Sequence, residues 1–146
     1  MKEALKEAVK AYDEDEVPIG CVIVKNERII ARGHNQVEVL RDSTAHAEMI
    51  AITSASEAVN NWRLLDTTLV VTVEPCVMCF GASLHSRVRR IVYGAPEPRF
   101  GACGSQTDLH RHTGFKPLPE VIGGVMEEDC RAILQEFFRQ KRKPLN

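Results

Sequence analysis

Apolar residues recur at helical spacing from the first turn of the chain. Ala4, Leu5, Ala8, Val9 and Tyr12 fall on one face, and the pattern predicts an amphipathic opening helix. Asp13-Glu14-Asp15-Glu16 reads as a solvated acidic connection. Val17-Pro18 leads from it into Ile19-Gly20-Cys21-Val22-Ile23-Val24, a short run dense in β-branched residues. Lys25-Asn26-Glu27-Arg28 makes the turn to a second strand, Ile29-Ile30-Ala31-Arg32. Gly33-His34-Asn35 leaves that strand, and a polar loop runs to Asp42-Ser43-Thr44, a helix start. A helix is expected over residues 45–59 with Met49, Ile50 and Ile52 buried, broken by Asn60-Asn61.

Leu69-Val70-Val71-Thr72-Val73 reads as an interior strand. Pro75 is expected in the first turn of the next helix, where proline is best tolerated, and that helix runs to about His85. Arg90-Ile91-Val92-Tyr93 is a fourth strand, ended by Gly94. Residues 94–119 carry Gly94, Gly101, Gly104 and Gly114 with Pro96, Pro98, Pro117 and Pro119. That composition predicts irregular chain, and a loop so long in a compact domain is usually functional. Val121-Ile122 opens a fifth strand. Glu127-Glu128-Asp129 starts a closing helix with Cys130, Ile133, Leu134, Phe137 and Phe138 on one face. Its acidic first turn and basic last turn suit the helix dipole. Strands interleaved with helices predict an α/β protein, a three-layer α/β/α sandwich around a mixed five-stranded sheet.

Composition narrows the class. The 146 residues are expected to form one domain spanning 1–146, and 44% hydrophobic with 27% charged side chains reads as soluble and globular. No apolar run approaches the ~18 residues of a membrane span, and Met1-Lys2-Glu3-Ala4 shows no signal-peptide segment. Five cysteines, two of them in C-x-x-C, argue against a secreted disulfide framework. A cytoplasmic protein with reduced thiols is expected. The net charge of −1 conceals an asymmetry. Residues 87–116 hold Arg87, Arg89, Arg90, Arg99, Arg111 and Lys116 against Glu97 and Asp108, and Arg139, Lys141, Arg142 and Lys143 crowd the tail. Such an excess suits a polyanion or a merely solvated surface.

The chemistry concentrates in His46-Ala47-Glu48 and Pro75-Cys76-Val77-Met78-Cys79. One histidine and two cysteines are a donor set that zinc prefers, and three ligands leave a coordination position open for water. Glu48 stands where a carboxylate takes a proton from that water. Cys76 and Cys79, spaced i and i+3, share one side of a helix start, where the dipole favours thiolates. His46 and Glu48, spaced i and i+2, point about 200° apart within an ideal helix. They share a pocket only if His46 lies where the chain is still entering the helix, with two helix starts facing one another across the sheet. A redox C-x-x-C and a structural zinc stay open at this point. The latter needs a fourth ligand, for which Cys21, Cys103, Cys130, His34 and His85 are candidates.

H-x-E followed by P-C-x-x-C is the signature of zinc-dependent nucleobase deaminases. The resemblance reaches further. Val17-Pro18-Ile19-Gly20, His34-Asn35, Thr44-Ala45-His46-Ala47-Glu48-Met49, Glu74-Pro75-Cys76-Val77-Met78-Cys79, His85-Ser86-Arg87, Gly101-Ala102-Cys103-Gly104-Ser105 and Phe137-Phe138-Arg139 resemble the bacterial tRNA-specific adenosine deaminases. That resemblance implies a cytidine-deaminase-like fold, one zinc per subunit, a homodimer, and conversion of the wobble adenosine of a tRNA anticodon loop to inosine. It assigns His46, Cys76 and Cys79 as ligands and Glu48 as the proton shuttle. It places Asn35, Ala47, Glu97, Phe138 and Arg139 at the substrate.

Two stretches depart from the family pattern. Ala95-Pro96-Glu97-Pro98 stands where an alanine, a basic residue and an aspartate are common, and Lys116-Pro117 replaces an Asn-His pair. Deamination of a free base or nucleoside is the alternative activity on the same fold. A non-catalytic RNA-binding subunit is the alternative of another class, and the intact Glu48 argues against it.

Overall fold

The computed structural model describes residues 1–142. Helix α1 spans Lys2–Asp13, and a hairpin of β1 (Gly20–Lys25) and β2 (Arg28–His34) follows. A single turn, α2 (Val37–Leu40), precedes α3 (Ala47–Val59), which the αL residue Asn60 ends. Then come β3 (Thr67–Val73), α4 (Val77–His85) and β4 (Arg90–Ala95). The turn α5 (Leu109–His112), β5 (Glu120–Ile122) and α6 (Glu127–Lys141) complete the described chain.

The strands form one mixed sheet in the order β2-β1-β3-β4-β5. β1 pairs antiparallel with β2 and β3, whereas β3–β4 and β4–β5 are parallel. Side chains alternate across it, as period-2 geometry requires. Cys21, Ile23, Leu69, Val71 and Ile91 pack with Ala47, Ala51 and Ala55 of α3 and Phe80 and Leu84 of α4. Val22 and Val70 point the other way, onto Ala4 of α1. Helix α6 joins α1 on that second face, where Phe137 meets Tyr12 edge-on with ring centroids 5.8 Å apart. Three layers result, as the element order predicts. Removing Ile23, Leu69, Val71, Phe80 and Ile91 from water stabilises the fold by about 1.5–3 kcal/mol each.

Helix α3 lies close on the hairpin because Gly33 has no side chain. A Cβ there would meet the carbonyl oxygen of Ala47 and stand 2.8 Å from the amide nitrogen of Ala51. The first turn of α3, which carries Glu48, is thereby held against β2.

Several local expectations change. Helix α1 buries Ala4, Glu7, Ala8 and Ala11, while Val9 points to solvent. Glu7 is tolerated there because Lys10 donates to it at 2.8 Å and Arg32 lies 3.5 Å away. In α3 the buried face is Ala47, Glu48, Ala51, Ile52 and Ala55; Met49 and Ile50 are half-buried. In α6 Cys130 and Phe137 are buried, Ile133 and Leu134 half-buried and Phe138 exposed. Small residues win the contact faces because they let helix and sheet backbones approach. The loop over 94–119 is not wholly irregular: α5 forms within it, with the Asp108 side chain accepting the Arg111 N–H at 3.2 Å. Lys143, the last of the basic tail residues, lies outside the described residues.

Candidate active site

Two helix starts build the site. His46 is the N-cap of α3, with φ −75° and ψ 153°, so its backbone is still extended. Asp42 prepares this entry by accepting the Thr44 N–H at 2.8 Å and the Thr44 hydroxyl at 2.7 Å. Cys76 is the N-cap of α4, with φ −74° and ψ 174°, and Cys79 stands in the first turn. Pro75 precedes the cap rather than occupying the first turn. Helices α3 and α4 lie side by side on one face of the sheet, not across it from one another. The extended N-cap resolves the i, i+2 problem, since it turns His46 toward the pocket that Glu48 enters from the helix.

His46 Nδ1 lies 3.7 Å from Cys76 Sγ and 3.6 Å from Cys79 Sγ. One donor atom from each residue falls within 4.8 Å of the others, a spacing that fits a single small cation. Soft sulfur and imidazole donors match zinc chemistry. Among themselves the donors share protons. A hydrogen bond from Cys79 holds the Cys76 thiol down to about 4, aided by His46, and donating that bond pushes Cys79 upward. A bound divalent cation takes over from these protons.

Glu48 is 4% exposed and points into this cluster. Burial pushes its carboxyl up to about 7, with the negative Cys76 sulfur adding to the effect and His46 opposing it. A carboxyl near neutrality is suited to accepting a proton and returning it. The groups weighed as a fourth ligand lie elsewhere. Cys21 is buried in the sheet, Cys103 lines a separate cleft with Tyr93 and Asp108, Cys130 sits beneath Gly94, His34 Nε2 is 2.9 Å from Glu14, and His85 packs on Phe115. Among the described residues only His46, Cys76 and Cys79 gather as a donor set, and all five cysteines are free thiols.

A cleft of about 590 Å³ opens over the donors, lined by Ser43, His46, Val77, Phe100, Gln106 and Thr107 among others. Its far wall is the loop after β4, held by Glu74. This carboxylate is buried, accepts the Ser105 hydroxyl at 2.7 Å, and lies 3.4 Å from the N–H groups of Cys103 and Ser105. Gly101 is glycine because any Cβ would strike that carboxylate. Cys76 and Gly101 pair as an isolated bridge, and the Ala102 N–H donates to Pro75 O at 2.8 Å. The family pattern includes Glu74 without giving it a role; its sequence signal is a single acidic residue directly after an apolar strand.

The remaining expected contacts are dispersed. Asn35 is buried at the end of β2, and its side-chain amide takes no hydrogen bond among the described residues. Ala47 is buried as the first residue of α3, where a helix leaves its N–H groups free. Glu97 caps the turn at the base of the loop, accepting the Arg99 N–H at 2.9 Å. Phe138 is exposed, and Arg139 is ion-paired with Glu136 at 2.6 Å. Neither residue lines the cleft.

The family model for the cytidine and deoxycytidylate deaminase zinc-binding region matches residues 1–95. The tRNA-specific adenosine deaminase of Bacillus subtilis (strain 168) is 50% identical over 143 residues, covering 98% of this chain and 89% of that protein. A structure solved in studies of A-to-I editing by tRNA:A34 deaminases at the wobble position superposes with a TM-score of 0.88 at 42% identity. It covers 92% of this chain and 97% of its own. A guanine deaminase from Nitrosomonas europaea superposes with a TM-score of 0.80 at 27% identity, over 93% of this chain and 81% of its own.

Proposed function

The chain belongs to the cytidine and deoxycytidylate deaminase zinc-binding family, and from that premise we propose that it deaminates adenosine to inosine at the wobble position of a tRNA anticodon. The observation that carries the chemistry is the buried Glu48 carboxyl, poised at about 7 beside the His46, Cys76 and Cys79 donors. The 50% identity to a tRNA-specific adenosine deaminase supports the substrate.

His46, Cys76 and Cys79 hold one zinc per chain. When bound, that ion supplies Lewis-acid activation of a water molecule. Glu48 takes a proton from the attacking water and delivers it to N1 of the adenine ring as the water oxygen bonds C6. The exocyclic amine, protonated by way of Glu48, leaves as ammonia, and C6 keeps a carbonyl. Asn35 offers its unpaired amide to the target nucleotide, and the free N–H of Ala47 lies at the same helix start. An anticodon-loop base is unpaired already, so extruding it into the cleft costs little.

Residues 1–146 act as one deaminase domain, paired with a second copy and working in the cytoplasm. No helix among the described residues is long and apolar enough to cross a membrane. Phe138 and Arg139 meet the RNA from the end of α6, and Glu97 shapes the loop around the base.

Ammonia release measured side by side with tRNA, adenosine, guanine and cytidine tests the assignment. Release from tRNA together with inosine in the anticodon is the expected result. Release from guanine or a free nucleoside, with tRNA inert, moves the activity to the small-molecule branch of the fold.

A further inference from the structure

Residues 13–16 do not form a uniformly solvated connection. Asp13, Glu14 and Asp15 are exposed, whereas Glu16 is 1% exposed. Asp15, left-handed with φ 61°, turns the chain at the end of α1, and the Glu16 N–H donates back to Ala11 O at 2.9 Å. The Glu16 carboxyl group accepts the Val39 N–H at 2.7 Å. It does not line the cleft over the donors. The chemistry of Glu48 makes no use of this second buried acid.

Val39 belongs to α2, in the loop between Asn35 and His46. Its N–H lies in a first turn, where a helix leaves such groups free, and Gln36 at the N-cap provides no side-chain bond. Among the described residues, the other hydrogen bonds of this loop close on the loop itself. Gln36 N–H donates to Ala45 O at 3.0 Å, Asp42 N–H donates to Val37 O at 3.1 Å, and Thr44 donates to the Asp42 side chain. Residues 38–44 are all exposed, so apolar burial does not hold them; Val39 and Leu40 are each 55% open to solvent. Between its two ends, the Glu16 bond ties the loop to the body of the fold.

We infer that Glu16 is a positioning residue for substrate binding. It fixes the loop so that Asn35 at its start and Ser43 in the cleft wall stand ready for the base. This rests on the cleft over His46, Cys76 and Cys79 being the substrate site. Freed from Glu16, the loop hinges at the Gln36–Ala45 pair and holds its binding-competent position for only a fraction of the time. Apparent affinity falls by that fraction. The donors and Glu48, carried by α3 and α4, keep their places. The loss therefore falls on KM and spares kcat.

Glu16→Met and Glu16→Gln separate the bond from the bulk. Methionine fills the space without a strong acceptor, and glutamine keeps a carbonyl oxygen for the Val39 N–H. Glu16→Met should retain zinc and kcat and raise KM about tenfold, as a loop in place about a tenth of the time requires. Glu16→Gln should restore the parental KM. Amide exchange at Val39, followed by NMR in the zinc-loaded protein, should quicken by about tenfold in Glu16→Met and not in Glu16→Gln. Glu16→Ala gives the same comparison if the methionine variant fails to fold. Equal KM in the methionine and glutamine variants overturns the inference, as does a loss confined to kcat or to zinc content. A parent that deaminates guanine or a free nucleoside instead of tRNA removes the substrate assignment, and the same KM split on that substrate decides the role of Glu16. Unchanged exchange at Val39 in Glu16→Met overturns the inference whatever the substrate.

Discussion

Ser105 donates its hydroxyl to the Glu74 carboxylate at 2.7 Å, tying the wall of the cleft to the strand end from which Cys76 follows. Bonds to a buried charged acceptor are worth roughly 1.5–3 kcal/mol. Ser105→Ala should lower unfolding free energy by about that much in urea titrations. Glu74→Ala should cost more, because the N–H groups of Cys103 and Ser105 then lose their acceptor as well. Equal stability of Glu74→Ala and the parent would mean that the carboxylate does not hold the loop.

Gly33→Ala pushes a methyl group into the backbone of α3 at Ala47 and Ala51. Overpacking of this kind costs roughly 1–3 kcal/mol. Because the displaced turn carries Glu48 and follows His46, zinc affinity should fall together with melting temperature. Competition against a chromogenic chelator measures the first and calorimetry the second. A destabilised variant with parental zinc affinity would separate the position of α3 from the integrity of the donor set.

The donors and the shuttle should separate on mutation. His46→Ala, Cys76→Ala and Cys79→Ala each remove one of three ligands and should abolish zinc in elemental analysis of the folded protein. Glu48→Gln should retain zinc and lose deamination by at least ~10²–10⁴, the usual contribution of a positioned acid–base group. Loss of zinc in Glu48→Gln would make this residue a ligand instead.

Burial, and next to it the Glu74 carboxylate, pushes the Tyr93 phenol up to about 12. The folded state therefore favours the protonated phenol. Its contribution to stability is complete below the ordinary value of 10 and is lost as pH rises from 10 toward 12. In a Tyr12→Phe background the phenolate absorbance of the native protein belongs to Tyr93 alone, and its midpoint should lie near 12. A midpoint near 10 in protein still folded by circular dichroism would contradict the burial of this ring beside Glu74.

Much of this arrangement is legible in the residues. Leu69 to Val73 declare an interior strand because both of their faces are covered, and His46, Cys76 and Cys79 declare a donor set by type and spacing. The requirement that His46 precede its helix follows from helical geometry alone, and the N-cap position meets it. Pairwise patterns reach less far. Glu7 and Glu48 are buried because of Lys10, Arg32 and the donor cluster, none of which a hydrophobic period registers. Val9 matches the helical stripe yet faces water, since the contact with the sheet is made by alanines. Glu74 and Gly101 lie 27 positions apart in sequence, and only the fold makes the carboxylate the reason for the glycine. That α3 and α4 share one face depends on the strand order, which no local signal encodes.

His46 and Cys76 occupy the N-caps of α3 and α4, and neither side chain caps its helix. Serine, threonine, aspartate or asparagine at such positions stabilises a helix by about 1 kcal/mol. The chain thus forgoes roughly 2 kcal/mol of folding stability to aim two side chains at a common point. In the presence of a chelator, His46→Asn and Cys76→Ser should therefore melt no lower than the parent, and a gained cap bond should raise the midpoint. Folding stability alone favours other residues at both helix starts, so the donor set stands there at the expense of the fold that carries it.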